Sequence, residues 1–241
     1  VFDLWVRSHA DLPLKIYQMV NVFRYETKQT KAFIRMREIH FFEADTCHAT
    51  AEDAEEQISE DLEIMKRLSK KLCLPYLQLK RTEWDKFPGA EYTVGVDSLL
   101  PTGRLLQIAG IHQYKTNFSE AYDITFEDKD GEHRNVHQTT YGMAERLVGA
   151  LVAIHGDEKG IVLPPEIAPT QVRIIPIIYG EKEDEVLQYC RDIKEDLQAS
   201  GIRCDIDDSD ERPGSKFYES EQKGIPLRID VGTDELDDRI V

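Results

Sequence analysis

The sequence predicts an α+β protein in which an antiparallel sheet with flanking helices is followed by a small α/β domain. Residues 20–42 contain two β-rich stretches, VNVFRYE and AFIRMREIHFF, joined by the polar residues 27–31. Two such stretches with a polar connection are typical of an antiparallel hairpin with a long loop. Beyond residue 170, apolar strands alternate with helical segments, which is typical of βαβ units and a largely parallel sheet.

The boundary between the two parts is predicted in the segment LPPEIAP, which contains three prolines. We expect a first domain over residues 1–163, a linker over 164–169 and a second, incomplete domain over 170–241.

Within the first domain, Thr50 and Asp53 form a capping-box-like pair before a helix of regularly spaced apolar residues that should end near Cys73. The stretches EYTVGVDSL, RLLQIAGIH and AYDITFED then predict adjacent antiparallel strands. The apolar pattern from about Thr140 to His155 predicts a helix, with Gly156 at a C-terminal cap that requires a positive φ.

The second domain should contain a buried strand in QVRIIPIIY and a helix from about residue 183 to 200, closed by Gly201. A strand in IRCDI, a helix around SKFYESEQK and a strand in PLRIDV complete the predicted alternation.

Composition excludes several classes of protein. With 41% hydrophobic and 32% charged residues, the chain resembles a soluble globular protein rather than a disordered one. No apolar run approaches the roughly 18 residues that span a bilayer, so we expect a cytoplasmic protein without membrane contact. The four cysteines are scattered without a C-x-x-C pair, so we expect neither a zinc site nor a disulfide framework.

Positive charge is concentrated in the predicted hairpin, although the net charge of the chain is −16. If residues alternate between the faces of a sheet, Arg24 and Glu26 share one side, as do Arg35 and Arg37 on the returning strand. Neighbouring guanidinium groups suit a bound phosphate or carboxylate, which their planar fork contacts with two hydrogen bonds. A solvated face paired with nearby glutamates is the alternative, and the charge pattern alone does not separate the two.

Three further residues could act in a site. Arg146 lies among apolar residues and therefore needs an ionic partner, either a ligand or a structural ion pair with Glu145 or Asp157. Gln107 and His112 have opposite parity on their strand, so they should face different sides of the sheet unless a bulge intervenes.

The combination of F-R-x-E, a loop, R-x-R-E and a later G-x-x-x-R helix resembles motifs 2 and 3 of the class II aminoacyl-tRNA synthetases. Longer stretches resemble the prolyl-tRNA synthetases of the archaeal and eukaryotic type. They include WVRSHADLPLKIYQMVNVFRYETK, WDKFPGAEYTVGVDSLLPTGRLLQIAGIH, TNFSEAYDITFED, HQTTYGMAERLVGALVAIHGDEKGIVLPPEIAP and GSKFYESEQKGIPLRIDVG. The resemblance covers essentially the whole chain and implies a class II catalytic sheet followed by an anticodon-binding domain.

The resemblance also implies an activity: proline and ATP form prolyl-adenylate, and the prolyl group passes to the 3′ end of tRNA(Pro). It implies that Arg24 holds the α-phosphate and the proline carboxylate, that Arg146 binds the γ-phosphate and that His112 lines the proline pocket. The remaining positions that match the ATP site are Glu26, Arg35, Met36, Gln107, Gly110 and Ala144, with Gln107 also near Mg²⁺.

The chain departs from this family at Asp45, where a histidine is usual after Glu43-Ala44. Motif 1, which builds the family's homodimer interface, and a Thr-x-Glu loop that recognises the proline nitrogen are expected before Val1. A zinc-containing domain is expected after Val241. We therefore interpret the chain as an internal fragment with an incomplete active site, and whether it is active alone stays open.

Two questions stay open at this level. A synthetase-like paralogue that binds nucleotide, tRNA or a protein partner without aminoacylation is the alternative function, although such paralogues tend to lose the arginines present here. The acidic balance is unusual for a tRNA ligand, whose phosphates favour Lys and Arg. It indicates either a salt-rich cytoplasm or a basic surface that is local or outside this chain.

Overall fold

The computed structural model describes residues 1–25, 28–179 and 182–238. These residues form two compact units, Val1–Ile154 and His155–Val241. Among the helices of these three ranges, none is long and apolar enough to cross a membrane.

The first unit is built on a six-stranded antiparallel sheet with the strand order β1-β2-β8-β5-β4-β3. Its strands are β1 (Leu14–Phe23), β2 (Glu38–His48), β3 (Tyr76–Lys80), β4 (Tyr92–Leu99), β5 (Leu105–Lys115) and β8 (His137–Ala144). A separate two-stranded sheet pairs β6 (Thr125–Glu127) with β7 (His133–Asn135). The predicted α+β class is confirmed, but the stretch AYDITFED was wrongly expected to join the main sheet.

The predicted hairpin exists, but its two strands have different bounds from those predicted. Strands β1 and β2 pair from Leu14 opposite Cys47 to Phe23 opposite Glu38. Arg24, Arg35 and Arg37 therefore lie beyond the strands, and the argument from alternating sheet faces does not apply to them. Backbone pairing continues for one step, because the Arg24 amide donates to the Arg37 carbonyl at 2.8 Å. Glu26 lies outside the described residues.

Helix α2 (Ala51–Lys71) covers one face of this sheet. Thr50 caps it, since its hydroxyl accepts a hydrogen bond from the Asp53 amide at 3.1 Å. The inward face of the helix combines apolar Ala54, Ile58 and Met65 with polar side chains. Because α2 occupies this face, the opposite face of the sheet is the one available to a ligand.

The segment after residue 136 was misjudged. Residues 137–144 form the central strand β8, and helix α4 spans only Arg146–His155. The apolar residues that indicated a helix, from Leu147 to Ile154, all lie in α4, whereas the strand residues HQTTYGMA are mostly polar or small. Gly156 is not among the glycines with positive φ. It pairs with Ile161 in an isolated antiparallel bridge instead of closing the helix.

Short helices complete the first unit: α1 (Phe2–Trp5), a 3₁₀ turn (His9–Asp11) and α3 (Asn117–Ala121). The second unit has a three-stranded parallel sheet in the order β10-β9-β11, as predicted. Its elements are β9 (Val172–Pro176), α5 (Glu183–Ala199), β10 (Cys204–Ile206), α6 (Pro213–Gln222), β11 (Leu227–Val231) and α7 (Thr233–Asp238). Gly201 has a φ of +78° directly after α5, which is the conformation that a helix C-terminus needs.

Candidate active site

A cavity of about 760 Å³ opens on the face of the main sheet that α2 leaves uncovered. It is large enough for a nucleotide together with a small second ligand. The predicted site residues in the described part of the chain all line it: Arg24, Arg35, Met36, Gln107, Gly110, His112, Ala144 and Arg146. Residues separated by more than a hundred positions in sequence therefore meet in one place.

One end of the cavity is strongly cationic. Burial, followed by the positive charges of Arg24 and Arg35, lowers the pKa of Arg146 below its ordinary value. The Arg146 guanidinium donates from Nε to the carbonyl of Ile34 at 3.0 Å, which fixes the first residue of α4 against the loop between β1 and β2. Three guanidinium groups that repel one another indicate a site for an anion.

The acidic neighbours considered as ion-pair partners of Arg146 have other contacts. Glu145 binds the backbone amide of His40 and, at 2.7 Å, its Nδ1. Asp157 accepts from the amides of Lys159 and Gly160 at 2.8 and 3.0 Å. In the described ranges, no ion pair joins Arg146 to Glu145. Glu145 is therefore not the structural ion-pair partner that the sequence suggested as an alternative to a ligand.

Glu145 itself lines the cavity and was missed as a site residue. Burial acts to raise its pKa, but the hydrogen bonds from His40 outweigh burial and leave the pKa lowered. Its Oε2 is buried without a hydrogen-bond partner in the described structure. The sequence contained no signal for this, because the contact joins two residues 105 positions apart.

A β-bulge places Gln107 and His112 on the same side of the sheet. Val96 pairs with Ala109, whereas the next residue, Asp97, pairs with Gln107, so Ile108 is left over on β5. This extra residue reverses the alternation of faces along the strand. The exception named in the sequence argument therefore applies, and both side chains reach the cavity.

Three glycines lie in register across the sheet, Gly95 on β4, Gly110 on β5 and Gly142 on β8, and the last two form the floor of the cavity. A Cβ at Gly110 would lie 3.2 Å from His112 Nε2 and 3.3 Å from Gln107 Nε2. A Cβ at Gly142 would lie 2.9 Å from the ring of Phe41. Because these positions carry no side chain, neighbouring groups lie directly on the backbone of the sheet.

The wall near β4 and β5 surrounds His112. Its Nδ1 is 2.9 Å from Thr93 Oγ1, and the Phe87 ring lies 4.9 Å from the imidazole, centroid to centroid. Burial lowers the pKa of His112 to about 4, so the imidazole is neutral at physiological pH. It can donate or accept a hydrogen bond there without adding charge.

Carboxylates lie at the β2 side of the cavity. Burial, and then the charge of Asp45, raises the pKa of Glu43, which lines the cavity. Burial likewise raises the pKa of Asp45, although Thr140 Oγ1 donates to its Oδ1 at 2.7 Å. Asp45 does not itself line the cavity, whereas Thr140 does. The cavity is thus cationic at one end and acidic at the other.

A metal ion would have few protein ligands here. Within the described ranges, no group of three His, Cys, Asp or Glu side chains is arranged to hold one. Mg²⁺ commonly keeps several waters and binds substrate phosphates with one or two protein oxygens. The described residues therefore do not form a metal cage of their own.

Comparison with known proteins identifies the class. Residues 1–155 match the model of the tRNA synthetase class II core domain shared by the glycine, histidine, proline, serine and threonine enzymes. Residues 171–241 match the model of an anticodon-binding domain. The chain therefore belongs to the class II tRNA synthetases, as the antiparallel sheet and its arginine-lined cavity indicate.

Within this class, the resemblance to prolyl-tRNA synthetases is confirmed. The chain is 56% identical to the proline–tRNA ligase of Pyrococcus abyssi over 100% of its own length and 50% of the relative. For the Thermococcus kodakarensis proline–tRNA ligase the identity is 57%, over 96% of the chain and 48% of the relative. The chain thus spans about half the length of these curated relatives.

Solved structures agree. The chain superposes with a TM-score of 0.93 on Giardia lamblia prolyl-tRNA synthetase in complex with prolyl-adenylate, at 44% identity, covering 98% of this chain and 49% of that one. The prolyl-tRNA synthetase of Cryptosporidium parvum complexed with L-proline and AMP gives a TM-score of 0.93 at 38% identity, with 99% and 52% covered.

Proposed function

We propose that the protein to which this chain belongs is a proline–tRNA ligase. The proline carboxylate attacks the α-phosphate of ATP, so that prolyl-adenylate forms and pyrophosphate leaves. The 3′-terminal hydroxyl of tRNA(Pro) then attacks the prolyl carbonyl, and AMP leaves. Relatives of that activity match the chain along essentially its whole length.

One observation carries the proposal: Arg24, Arg35 and Arg146 lie together at one end of a cavity whose other end is acidic. A carboxylate and a triphosphate repel each other, and the transition state of the first step adds charge at the α-phosphate. Fixed guanidinium groups stabilise that charge because they require little reorganisation during the reaction. The acidic end suits the cationic nitrogen of proline.

We assign the arginines as follows. Arg24 binds the α-phosphate and the proline carboxylate, Arg35 contacts ATP together with Glu26, and Arg146 holds the γ-phosphate. The hydrogen bond from Arg146 to Ile34 supports this assignment, because it orients the guanidinium before the nucleotide arrives.

The other predicted residues have smaller roles. Gln107 would contribute its amide oxygen to a Mg²⁺ ion carried by the phosphates, where the metal would neutralise negative charge. Met36, Gly110 and Ala144 would shape the nucleotide site, and His112 the proline pocket.

The reaction requires no protein nucleophile, and none of the described thiols lines the cavity. Burial raises the pKa of Cys47 to about 12 and that of Cys190 to about 11, so both are protonated at neutral pH. Catalysis would rest on positioning and charge.

We further assign residues 1–163 to the catalytic domain, 164–169 to a linker and 170–241 to an anticodon-binding domain that contacts tRNA(Pro). We propose a homodimer for the full-length enzyme, acting in the cytoplasm, where tRNA is charged.

The test is proline-dependent exchange of pyrophosphate into ATP by the full-length parent. We expect Arg24→Ala to lower kcat/KM by about 10²-fold or more, and Arg24→Lys to restore only part of it, because lysine keeps the charge but not the planar fork. Arg134→Met, on the β6–β7 hairpin, is the control.

Exchange that depends on another amino acid would overturn the proline assignment. A parent without any exchange would favour the non-aminoacylating paralogue.

A further inference from the structure

Arg81, a residue with no assigned role, lies on the wall of the cavity directly after β3. Its Nη2 is 2.6 Å from Oδ1 of Asp97 on β4. The two side chains are 17% and 4% exposed, so this ion pair is largely removed from water. The pair therefore joins the end of the edge strand β3 to its neighbour β4.

Gly95 makes room for this contact. A Cβ at position 95 would lie 2.1 Å from Arg81 Nη2 and 2.4 Å from its Cζ. The guanidinium consequently lies against the backbone of β4 at Gly95, which is in register with Gly110 and Gly142. The missing side chain at residue 95 helps to set the position of Arg81, together with its attraction to Asp97.

Arg81 also begins the loop that carries part of the cavity wall. Its amide donates to the Thr93 carbonyl at 2.8 Å, and its Nε is 3.8 Å from Oδ2 of Asp85 within the loop. Further along, the Phe87 amide donates to Thr93 Oγ1 at 2.9 Å. This hydroxyl is the one that contacts His112.

Buried ion pairs are weak evidence for stability, because the loss of hydration offsets much of their attraction. This pair lies on a cavity wall and is connected through one loop to Phe87 and His112. A role in orienting that loop therefore explains the pair better than a contribution to stability does.

We propose that Arg81 is a positioning residue for the amino-acid end of the cavity. Its ion pair with Asp97 anchors the start of the loop over residues 81–91 and thereby holds Phe87 against His112. The identity of the ligand as proline rests on the proposed function; the anchoring of the loop does not. Arg81 acts through the loop and makes no contact with the reacting atoms.

The experiment uses the full-length enzyme with Arg81→Met and Asp97→Asn, measured by pyrophosphate exchange at varied proline and varied ATP. We expect both substitutions to raise KM for proline about tenfold or more, with KM for ATP changed less than about twofold, since the arginines of the ATP end are untouched. Because the two residues act as one unit, the double variant should be no worse than the worse single variant. Arg134→Met, which removes an exposed arginine paired with Asp128 and Asp130, is the matched control.

A second readout follows the loop directly. Trp84 is 88% exposed within it, and subtracting the signal of a Trp84→Phe variant isolates its fluorescence. Loss of the anchor should change the acrylamide quenching of Trp84 in Arg81→Met and in Asp97→Asn alike. If Arg81→Met does not fold, Asp97→Asn, which keeps the side-chain size, carries the test.

An unchanged KM for proline in the folded variants would overturn the proposal. So would an equal rise in both KM values, which indicates general loosening, or an effect of Arg81→Met without one of Asp97→Asn, which indicates direct ligand contact. If the parent shows no proline-dependent exchange, the proposed function fails, while an altered Trp84 quenching would still support the anchor.

Discussion

Gly95→Ala tests whether the position of Arg81 against β4 requires a missing side chain at residue 95. The new Cβ would lie 2.1 Å from Arg81 Nη2, a distance that non-bonded atoms do not tolerate. The guanidinium is the flexible end of a long side chain, so the strand need not move. Arg81 would swing away instead and leave the carboxylate of Asp97, which is 4% exposed, without its ion pair.

The expected cost follows from that unpaired charge. Removing one partner of a buried pair costs about 3–5 kcal/mol, and alanine regains about 0.4–1 kcal/mol by restricting the unfolded chain. Arg81 keeps some access to water and can rearrange, so we place the net loss of unfolding free energy at about 2–3 kcal/mol.

The assay is urea unfolding followed by tryptophan fluorescence. Trp5 and Trp84 both belong to the first unit, so the signal reports that unit. The decisive comparison places Gly95→Ala in a background that already carries Arg81→Ala and Asp97→Asn. In that background we expect Gly95→Ala to lower the free energy of unfolding by less than about 1 kcal/mol, because no ion pair is left to break. An equal loss in both backgrounds would refute the reasoning and attribute the cost to the strand itself.

Three further predictions concern titration and charge. Burial lowers the pKa of His48 to about 4, so between about pH 6.5 and 4 the unfolded state binds one more proton than the folded state. The free energy of unfolding should therefore decrease by about 3 kcal/mol as the pH is lowered through this range. Unfolding of His48→Gln should lack that part of the slope, and an unchanged slope would contradict it. Asp45→Asn keeps an oxygen acceptor for Thr140 but removes a charge, so KM for proline at pH 7 should rise several-fold. An unchanged KM would show that the charge of this carboxylate does not contribute to ligand binding in the cavity. A net charge of −16 predicts a melting temperature that falls on dialysis to low salt, because repulsion is then less screened; a salt-insensitive melt would exclude a high-salt adaptation.

The sequence was most informative where a local pattern and a distant motif agreed. The hairpin could be predicted from two β-rich stretches, yet its strands end before Arg24 and resume after Arg37. Pairing in a sheet depends on both neighbours, and β-branched residues near the turn do not show where the ladder stops. The arginines still converge, because the loop that carries them folds back toward α4.

Strand β8 shows the opposite case. It lies between β2 and β5, so both of its edges are paired and most of its side chains are covered. Its sequence, HQTTYGMA, is mostly polar or small and shows no regular alternation of apolar with polar residues, so it gave no strand signal. The apolar residues of α4 supported the helix prediction, which was extended too far back along the chain.

Contacts that depend on distant residues were not predictable. Arg81 meets Asp97 across 16 positions, and His40 meets Glu145 across 105. Neither pair follows a helical or strand spacing. The bulge at Ile108 was foreseen only as an exception, since one extra residue on a strand leaves no composition signal.

The row of floor glycines limits how this site can change. A surface made of main chain has no side chain to shorten, so substitution can fill the cavity from below but cannot deepen it. Variants that admit a larger ligand must therefore alter the surrounding walls, where Phe41, Phe87 and His112 could be replaced by smaller side chains. Residues of those walls therefore determine which ligand sizes fit, while the main-chain floor sets a limit to the depth of the cavity that substitution cannot extend.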